Sequence, residues 1–284
     1  MNEPILPADP DEPGNADAVE HALAEALRPI SPGEARARAL RERLLQRANA
    51  SRIADERFIN VRREDGPWRA LVKGVRVKML WEKAGSRSVL LELQAGASLP
   101  THRHHEHEEC VVLRGEAQLG DLHVRRGDYH VAPAGSRHGR VSSSTGALLY
   151  LRGTPIGNTA GMARDLITAW LPGDGENPVT VRADEGEWRD LAPGAQAKSL
   201  WCDADDVCST LIRLRPGACA PAHPHSIDEE CLMLEGEAFF GDTLLRAGDY
   251  QLAHSGTQHR DVTSDVGALL FVRGAAYKTV PAHL

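Results

Sequence analysis

The pattern of apolar and polar positions changes once along the chain. In the N-terminal part, apolar residues such as Val19, Leu23 and Leu27 recur at helical spacing. A second apolar row of the same period follows, which predicts a short helical hairpin over residues 17–52. The preceding residues 1–16 are rich in proline and acidic residues, and this composition predicts a disordered tail.

Beyond this segment the helical period is replaced by short apolar or alternating runs. Val89–Leu93, Cys110–Leu113 and Ala147–Leu151 are examples. Glycine, proline and aspartate separate the runs, as in Gly127-Asp128. Many short strands at this spacing predict an all-β fold, an antiparallel sandwich or barrel.

An internal repeat organises these strands. A shift of 121 residues places His102 on His223 (223 − 102 = 121), and many neighbours match without a gap. The period is too long for a solenoid and suits a duplicated small barrel. The predicted boundaries are a first barrel domain over 59–153, a linker with a short helix over 154–178, a second barrel domain over 179–274 and a tail over 275–284.

The amino-acid composition argues against nucleic acid and anionic membranes as partners. The chain has 33 basic and 40 acidic residues, a net charge of −7, and no basic cluster of the kind that nucleic acid or an anionic membrane requires. The N-terminus does not resemble a signal peptide, and the apolar runs are far shorter than the roughly 20 residues of a membrane helix. The five cysteines are odd in number and include no CxxC pair, which predicts no disulfide framework and a cytoplasmic location.

The repeated segment carries a possible metal site. On a strand, His102 and His104 point to the same face, and a turn brings Glu108 back beside them. A fourth ligand would come from a distant strand, and His138 is the candidate. Three histidines and a carboxylate suit Zn, Fe, Ni, Mn or Cu, and ligand type alone does not choose among these metals. The matching candidates in the second repeat are His223, His225, Glu229 and His259.

These residues also carry a family resemblance. The first repeat reads Gly96-x5-His102-x-His104-x3-Glu108-x6-Gly115 and then Gly127-x5-Pro133-x-Gly135-x2-His138, and the second repeats this spacing. Both resemble the two motifs of cupins, so the chain resembles a bicupin. The resemblance implies two tandem cupin (double-stranded β-helix, jelly-roll) barrels after the helical hairpin. The sequence around the motifs is similar to that of the ChrR-like cupins of zinc-binding anti-sigma factors. This similarity implies a metal, usually zinc, at the eight candidate positions.

Two departures from the family pattern leave the function open. His254 stands where the second cupin motif has proline, and no cysteine precedes Cys110, so the zinc motif of the sigma-binding domain is not found. One hypothesis is a metal-binding regulator of stress-responsive transcription, and the alternative is a metal-dependent dioxygenase for a small dicarbonyl or phenolic compound. A sugar isomerase is a weaker third. The expected partners are a protein bound by the N-terminal helices, a small-molecule ligand in the barrels and a second copy of the chain, with no nucleic acid and no membrane.

Overall fold

The computed structural model of the chain consists of two compact units, with the boundary near residue 52. It describes residues 13–27, 32–55, 57–83, 86–156, 158–170 and 177–277. The N-terminal helices are α1 (Pro13–Ala26) and α2 (Glu34–Asp55). Residues 13–16 are therefore helical, although the sequence predicted them to belong to the tail. Proline suits the first helical position because its missing N–H would have no partner there. The rest of the predicted tail lies outside the described residues.

The first repeat consists of short strands. They are β1 (Phe58–Val61), β2 (Arg69–Val72), β3 (Val75–Lys83), β4 (Ser86–Leu93), β5 (Ser98–Leu99), β6 (His102–Arg103), β7 (Glu108–Leu119), β8 (Leu122–Arg125), β9 (Tyr129–Ala132), β10 (Arg137–His138), β11 (Val141–Ser142) and β12 (Ala147–Thr154). The helix α3 (Thr159–Ile167) follows and ends in a 3-10 turn, Thr168–Trp170. Asn158 caps α3 by accepting from the backbone N–H groups of Ala160 and Gly161.

The second repeat has the same series of strands. They are β13 (Val179–Val181), β14 (Arg189–Ala192), β15 (Ala195–Cys202), β16 (Val207–Leu214), β17 (Ala218–Ala220), β18 (His223–Pro224), β19 (Glu229–Phe240), β20 (Thr243–Arg246), β21 (Tyr250–Ala253), β22 (Gln258–His259), β23 (Val262–Ser264) and β24 (Ala268–Ala275). Of the helices in the described ranges, none is both long and apolar enough to cross a membrane.

Each repeat folds into an antiparallel barrel. Its larger sheet has the strand order β13-β9-β7-β12-β4-β3-β2 in the first barrel and β1-β21-β19-β24-β16-β15-β14 in the second. The long strands β7 and β19 leave the larger sheet and continue into a smaller one. The two-stranded pairs β6–β10 and β18–β22 lie at the barrel ends that carry the histidines. This is the tandem cupin architecture that the sequence predicted.

The two barrels exchange their first strands. β1 precedes the first repeat but pairs with β21 of the second, in the register Asn60 with Gln251. β13 precedes the second repeat and pairs with β9 of the first, in the register Thr180 with His130. Each larger sheet is therefore completed by a strand that the other repeat supplies, and backbone hydrogen bonds join the barrels in both directions.

Three apolar clusters form the core of the part of the chain that the structure describes. One fills the first barrel around Leu91 and Leu149, and one fills the second around Leu214 and Leu270. The third lies between the two larger sheets. Its buried members come equally from the two repeats: Leu80, Leu90, Val111, Tyr129, Val131, Tyr150, Leu200, Leu211, Leu232, Tyr250, Leu252 and Phe271. This shared core joins the two barrels into one compact unit, Ile53–Leu284.

A matched glycine shapes each long strand at its bend. Gly115 and Gly236 have φ angles of 70° and 69°. A Cβ atom at either position would lie 2.0 Å from a backbone carbonyl oxygen, that of Gly146 or Gly267. Only glycine tolerates both the left-handed backbone and this close approach.

The cysteine prediction was wrong for one pair, because Cys202 and Cys208 form a disulfide. They face each other in register at the ends of β15 and β16, across a tight turn, so the hairpin brings together two residues whose spacing fits no familiar motif. Disulfides persist in oxidising compartments. Cysteine usage therefore gives no support to a cytoplasmic location.

Candidate metal centres

The structure brings the four candidate ligands of the first repeat together at one end of its barrel. His102 lies on β6 and faces His138 on β10 across an antiparallel pair. His104 lies in the turn after β6, and Glu108 begins β7. His104, Glu108 and His138 are buried. One possible ligand atom from each of the four lies within 4.8 Å of those of the other three.

The second repeat builds the same constellation from β18, the following turn, β19 and β22. Its four candidates, His223, His225, Glu229 and His259, also have ligand atoms within 4.8 Å of one another. Both groups could hold a metal ion. The matched spacing in sequence is therefore matched by geometry in space.

Nitrogen atoms converge on one carboxylate oxygen in the second cluster. His223 Nε2, His225 Nε2 and His259 Nδ1 each lie 3.4 Å from Glu229 Oε1. His225 Nε2 and His259 Nδ1 are 3.1 Å apart. This is the donor set of a mixed nitrogen and oxygen metal site.

The other ring nitrogens of this cluster all contact fixed acceptors. His223 Nδ1 lies 2.9 Å from the carbonyl oxygen of Pro221, and His225 Nδ1 lies 2.7 Å from Thr257 Oγ1. Thr257 donates its own proton to a backbone carbonyl, so its oxygen accepts from the imidazole. His259 Nε2 lies 2.8 Å from Gln251 Oε1. Because the outer nitrogens donate, the inner nitrogens can present lone pairs to a cation.

A hydrogen-bonded chain orients one histidine of the first cluster. His138 Nε2 lies 3.0 Å from His130 Nε2, and His130 Nδ1 lies 2.9 Å from Thr180 Oγ1. Donation along this chain leaves His138 Nδ1 free as a ligand atom. His102 Nδ1 lies 3.0 Å from the carbonyl oxygen of Pro100, as in the second cluster.

One buried nitrogen of the first cluster has no protein partner in the described ranges. His104 Nε2 is inaccessible to solvent and makes no hydrogen bond there. A buried polar atom without a partner is unfavourable unless something binds it. Three imidazoles and one carboxylate with ligand atoms within 4.8 Å of one another, together with this buried nitrogen, fit a metal ion.

Sequence reasoning missed the residues behind the ligands. His130 and Gln251 are matched at the 121-residue shift, and both are polar residues in an otherwise apolar strand. A polar residue at the same position of both strands was the feature of the sequence that could have identified them. Their outer partners, Thr180 and Asn60, lie on the exchanged strands, and Gln251 Nε2 donates to Asn60 Oδ1 at 2.8 Å. Each barrel thus positions a ligand in the other.

Burial keeps two ligand histidines of the first cluster, His104 and His138, neutral. It lowers the pKa of His104 to about 3, and the neighbouring His102 adds to this effect. Burial also lowers the pKa of His138 to about 3, and that of His130 to about 4. Neutral imidazole is the form that binds a metal.

In the second cluster, the negative charge of Glu229 opposes the effect of burial on the pKa of His223. Burial alone would lower the pKa of His223, but the hydrogen bond and charge of Glu229 outweigh it and raise that pKa. Burial alone would raise the pKa of Glu229, yet the three histidines together hold it well below its usual range. The carboxylate is therefore ionised and available as a ligand.

We expect the metal-free protein to lose stability on acidification between about pH 6.5 and pH 3. His104 and His138 have folded pKa values of about 3, whereas unfolded histidine titrates near 6.5. Across this window the unfolded state binds more protons, so stability is complete above it and falls as the pH drops. Each such group contributes a slope of up to about 1.4 kcal/mol per pH unit. Urea unfolding at several pH values measures the slope. It should become shallower in His138→Gln, and an unchanged slope would contradict the assignment.

The remaining histidines of the first motif lie elsewhere. His105 Nδ1 lies 2.5 Å from Asp165 Oδ1 on α3, and the ring of His107 packs against Trp201 at 5.3 Å between centroids. Cys110 and Cys231 are buried free thiols, and burial raises the pKa of both. They are small core residues, held in the protonated state.

Comparison with known proteins agrees with this geometry. The ChrR Cupin-like domain matches the chain twice, over residues 56–156 and 176–278. The anti-sigma-E factor ChrR of Cereibacter sphaeroides is 30% identical over 139 residues. That alignment covers 45% of this chain and 65% of the relative, so the chain spans less than two thirds of the relative's length.

Solved structures share the fold at low sequence identity. A putative dioxygenase from Nostoc punctiforme superposes with a TM-score of 0.58 at 16% identity, over 80% of this chain and 87% of that one. Oxalate decarboxylase of Lactobacillus farciminis, in a formate complex, gives 0.56 at 16% identity over 78% and 87%. These similarities show the bicupin fold alone. Since the two domain matches together cover more than half of its residues, the chain belongs to the family of ChrR cupin-like domains.

Proposed function

We propose that the protein binds one divalent metal ion, zinc by preference, in each barrel and acts as a metal-dependent regulator or sensor in stress-responsive transcription. The regulatory part of this proposal draws on the similarity to an anti-sigma factor. The metal-binding part rests on the chain's own residues.

One observation carries the metal-binding proposal. Three histidine nitrogens surround a single carboxylate oxygen in the second cluster at 3.4 Å each, while the outward nitrogens are occupied by acceptors. The ligand atoms of these four groups lie within 4.8 Å of one another, so that one ion could contact all of them at once. A bound divalent ion would supply Lewis acidity and positive charge at this point.

Metal analysis of protein purified without added metal tests the proposal. We expect two equivalents per chain in the wild type and one each in His104→Ala and His225→Ala, because each variant removes one ligand of one cluster. His123→Ala is the matched control, since this histidine is exposed and pairs with Glu116 on the surface. Retention of two equivalents in either ligand variant would contradict the assignment of that site.

The alternative function is a metal-dependent dioxygenase. It is favoured by a small apolar cavity of about 50 Å³ whose lining includes His102, Glu108, Leu99 and Ile156, so that a small ligand could approach the first cluster. Iron in the purified protein, with oxygen uptake that His104→Ala abolishes, would support the dioxygenase over the regulator. Stoichiometric zinc without oxygen uptake on any dicarbonyl would support the regulator.

We also propose that the N-terminal helices bind a second protein chain. Their apolar side chains are exposed, including Leu23 at 53%, Leu44 at 66% and Leu45 at 60%. An apolar row on a helix is usually covered in the functional assembly. Light scattering of the wild type and of Leu44→Glu tests whether the partner is a second copy of this chain.

A further inference from the structure

The two metal-ligand clusters have different surroundings at three matched positions. The second cluster is enclosed by the aromatic residues Phe58, Phe240 and Tyr277. By the internal repeat, which has a shift of 120 before the insertion and 121 after it, the corresponding residues of the first cluster are Pro178, Leu119 and Ile156. Every aromatic ring is thus replaced by a smaller aliphatic side chain.

The aromatic rings of the second cluster lie directly on its ligands. Phe58 stacks on His259 with ring centroids 5.3 Å apart, and Phe240 meets the same imidazole edge-on at 5.1 Å. Tyr277 packs against His223 at 5.5 Å, and its hydroxyl donates to Glu229. These contacts cover three ligands of the second centre, His259, His223 and Glu229.

The smaller residues of the first cluster line cavities that reach its ligands. Leu119 and Pro178 line a groove of about 1170 Å³ that also contains His130 and His138. Ile156 lines the second, smaller cavity, which reaches His102 and Glu108 from another side. The first centre is therefore approachable where the second is covered.

The charges at the first centre and along its groove indicate which kind of ligand would bind there. Three neutral imidazoles and one carboxylate leave a divalent ion with a net charge of +1, which one monoanion would neutralise. Among the described residues that line the groove, Arg137 and Arg140 are basic and lie beside His138, and Asp121 alone is acidic. The excess of positive charge favours a small anion on the path to the metal.

We propose that the first metal centre takes a small monoanionic ligand, such as a carboxylate, directly on its metal, whereas the second is a closed structural centre sealed by Phe58, Phe240 and Tyr277. This inference rests on the proposed function, since it requires a metal in both barrels. It assigns ligand recognition to one barrel and structural support to the other.

Cobalt(II) substitution with azide as the probe tests this division. The metal-free protein is first loaded with cobalt, and its content is measured before azide is added. Two equivalents in the wild type and one each in His104→Ala and His225→Ala show that both centres exist. A lower content, or one that the ligand variants leave unchanged, would refute the proposed function itself, independently of the azide result.

Azide titration then distinguishes the two centres through the visible spectrum of cobalt. We expect one azide per wild-type chain, a full response in His225→Ala, which retains the first centre, and none in His104→Ala, which retains the second. Equal responses in the two variants, a response only in His104→Ala, or no response in either would overturn the proposal.

Reciprocal substitutions test the proposed cause. Ile156→Tyr should abolish azide binding at the first centre without loss of cobalt, because it introduces the ring that closes the second. Tyr277→Ile should create a second azide site. If Tyr277→Ile fails to fold or to bind its cobalt, Ile156→Tyr decides alone. An unchanged azide affinity in a folded, cobalt-loaded Ile156→Tyr would show that these side chains do not control access.

Discussion

Substitution of Arg273 by methionine is expected to lower the free energy of unfolding by about 3–5 kcal/mol, the usual effect of removing one partner of a buried ion pair. Arg273 is 4% exposed, and its Nε lies 3.1 Å from Oε1 of Glu109, which is fully buried. The arginine belongs to β24 of the second barrel and the glutamate to β7 of the first. Methionine would fill the volume but leave the Glu109 charge without its closest cation in the shared core.

Other groups around Glu109 do not replace this arginine. Tyr129 donates to its Oε2 at 2.7 Å, and Ser209 donates to the same oxygen. Arg152 lies farther away, with its Nη1 3.6 Å from Oε1. Arg152 is also the ion-pair partner of Glu230, at 2.7 Å from its Oε1. Hydroxyl groups stabilise an anion by hydrogen bonding but do not neutralise it.

A surface pair between the same barrels provides the control. Arg126 Nη2 lies 2.5 Å from Glu235 Oε1, with both side chains more than half exposed. Arg126→Met should change the free energy of unfolding by less than about 1 kcal/mol, because solvent screens this pair. Urea unfolding of the metal-free proteins measures both variants. The double variant Glu109→Gln, Arg273→Met should be destabilised by less than the sum of its single variants, and strict additivity would show that the two groups do not interact.

The fold and the ligands could be predicted because they depend on features that repeat in sequence. His102 and His104 two positions apart, followed by Glu108, place three ligands at one barrel end in any chain with this strand and turn geometry. The 121-residue shift argues against His105 as a ligand, since its counterpart is Ser226, and it supports His138, since its counterpart is His259. Comparison of the two internal copies thus identifies the ligand residues more fully than one copy alone.

The exchange of β1 and β13 could not be predicted. The apolar pattern of Phe58–Val61 is the same whichever sheet it joins, and strand pairing depends on contacts far apart in sequence. The polar residues Asn60 and Thr180 therefore had no visible purpose until the exchange placed them beside Gln251 and His130. Tyr277 lies beyond the end of the repeat as drawn from sequence, so its position near the second cluster was equally hidden.

The exchanged strand has a measurable effect on the second metal centre. Substitution of Gln251 by leucine is expected to weaken metal binding there about 10–100-fold, the usual effect of removing the group that orients a ligand histidine. Gln251 Oε1 accepts from His259 Nε2, which fixes the ring with Nδ1 toward Glu229. Without this acceptor the imidazole can rotate or bind the ion through the wrong nitrogen.

Competition with a chromophoric chelator measures the affinity of each centre, with the first unchanged in Gln251→Leu as the internal control. Gln251→Glu should retain tight binding, because a carboxylate also accepts from His259 and makes it a more basic ligand. Asn60→Leu should weaken the same centre by a smaller factor, since Asn60 acts only through its contact with Gln251. His130→Leu should weaken the first centre alone. If Gln251→Leu weakened both centres equally, its effect would lie in the stability of the joined barrels, and the exchanged strand would have no specific role in positioning the ligand.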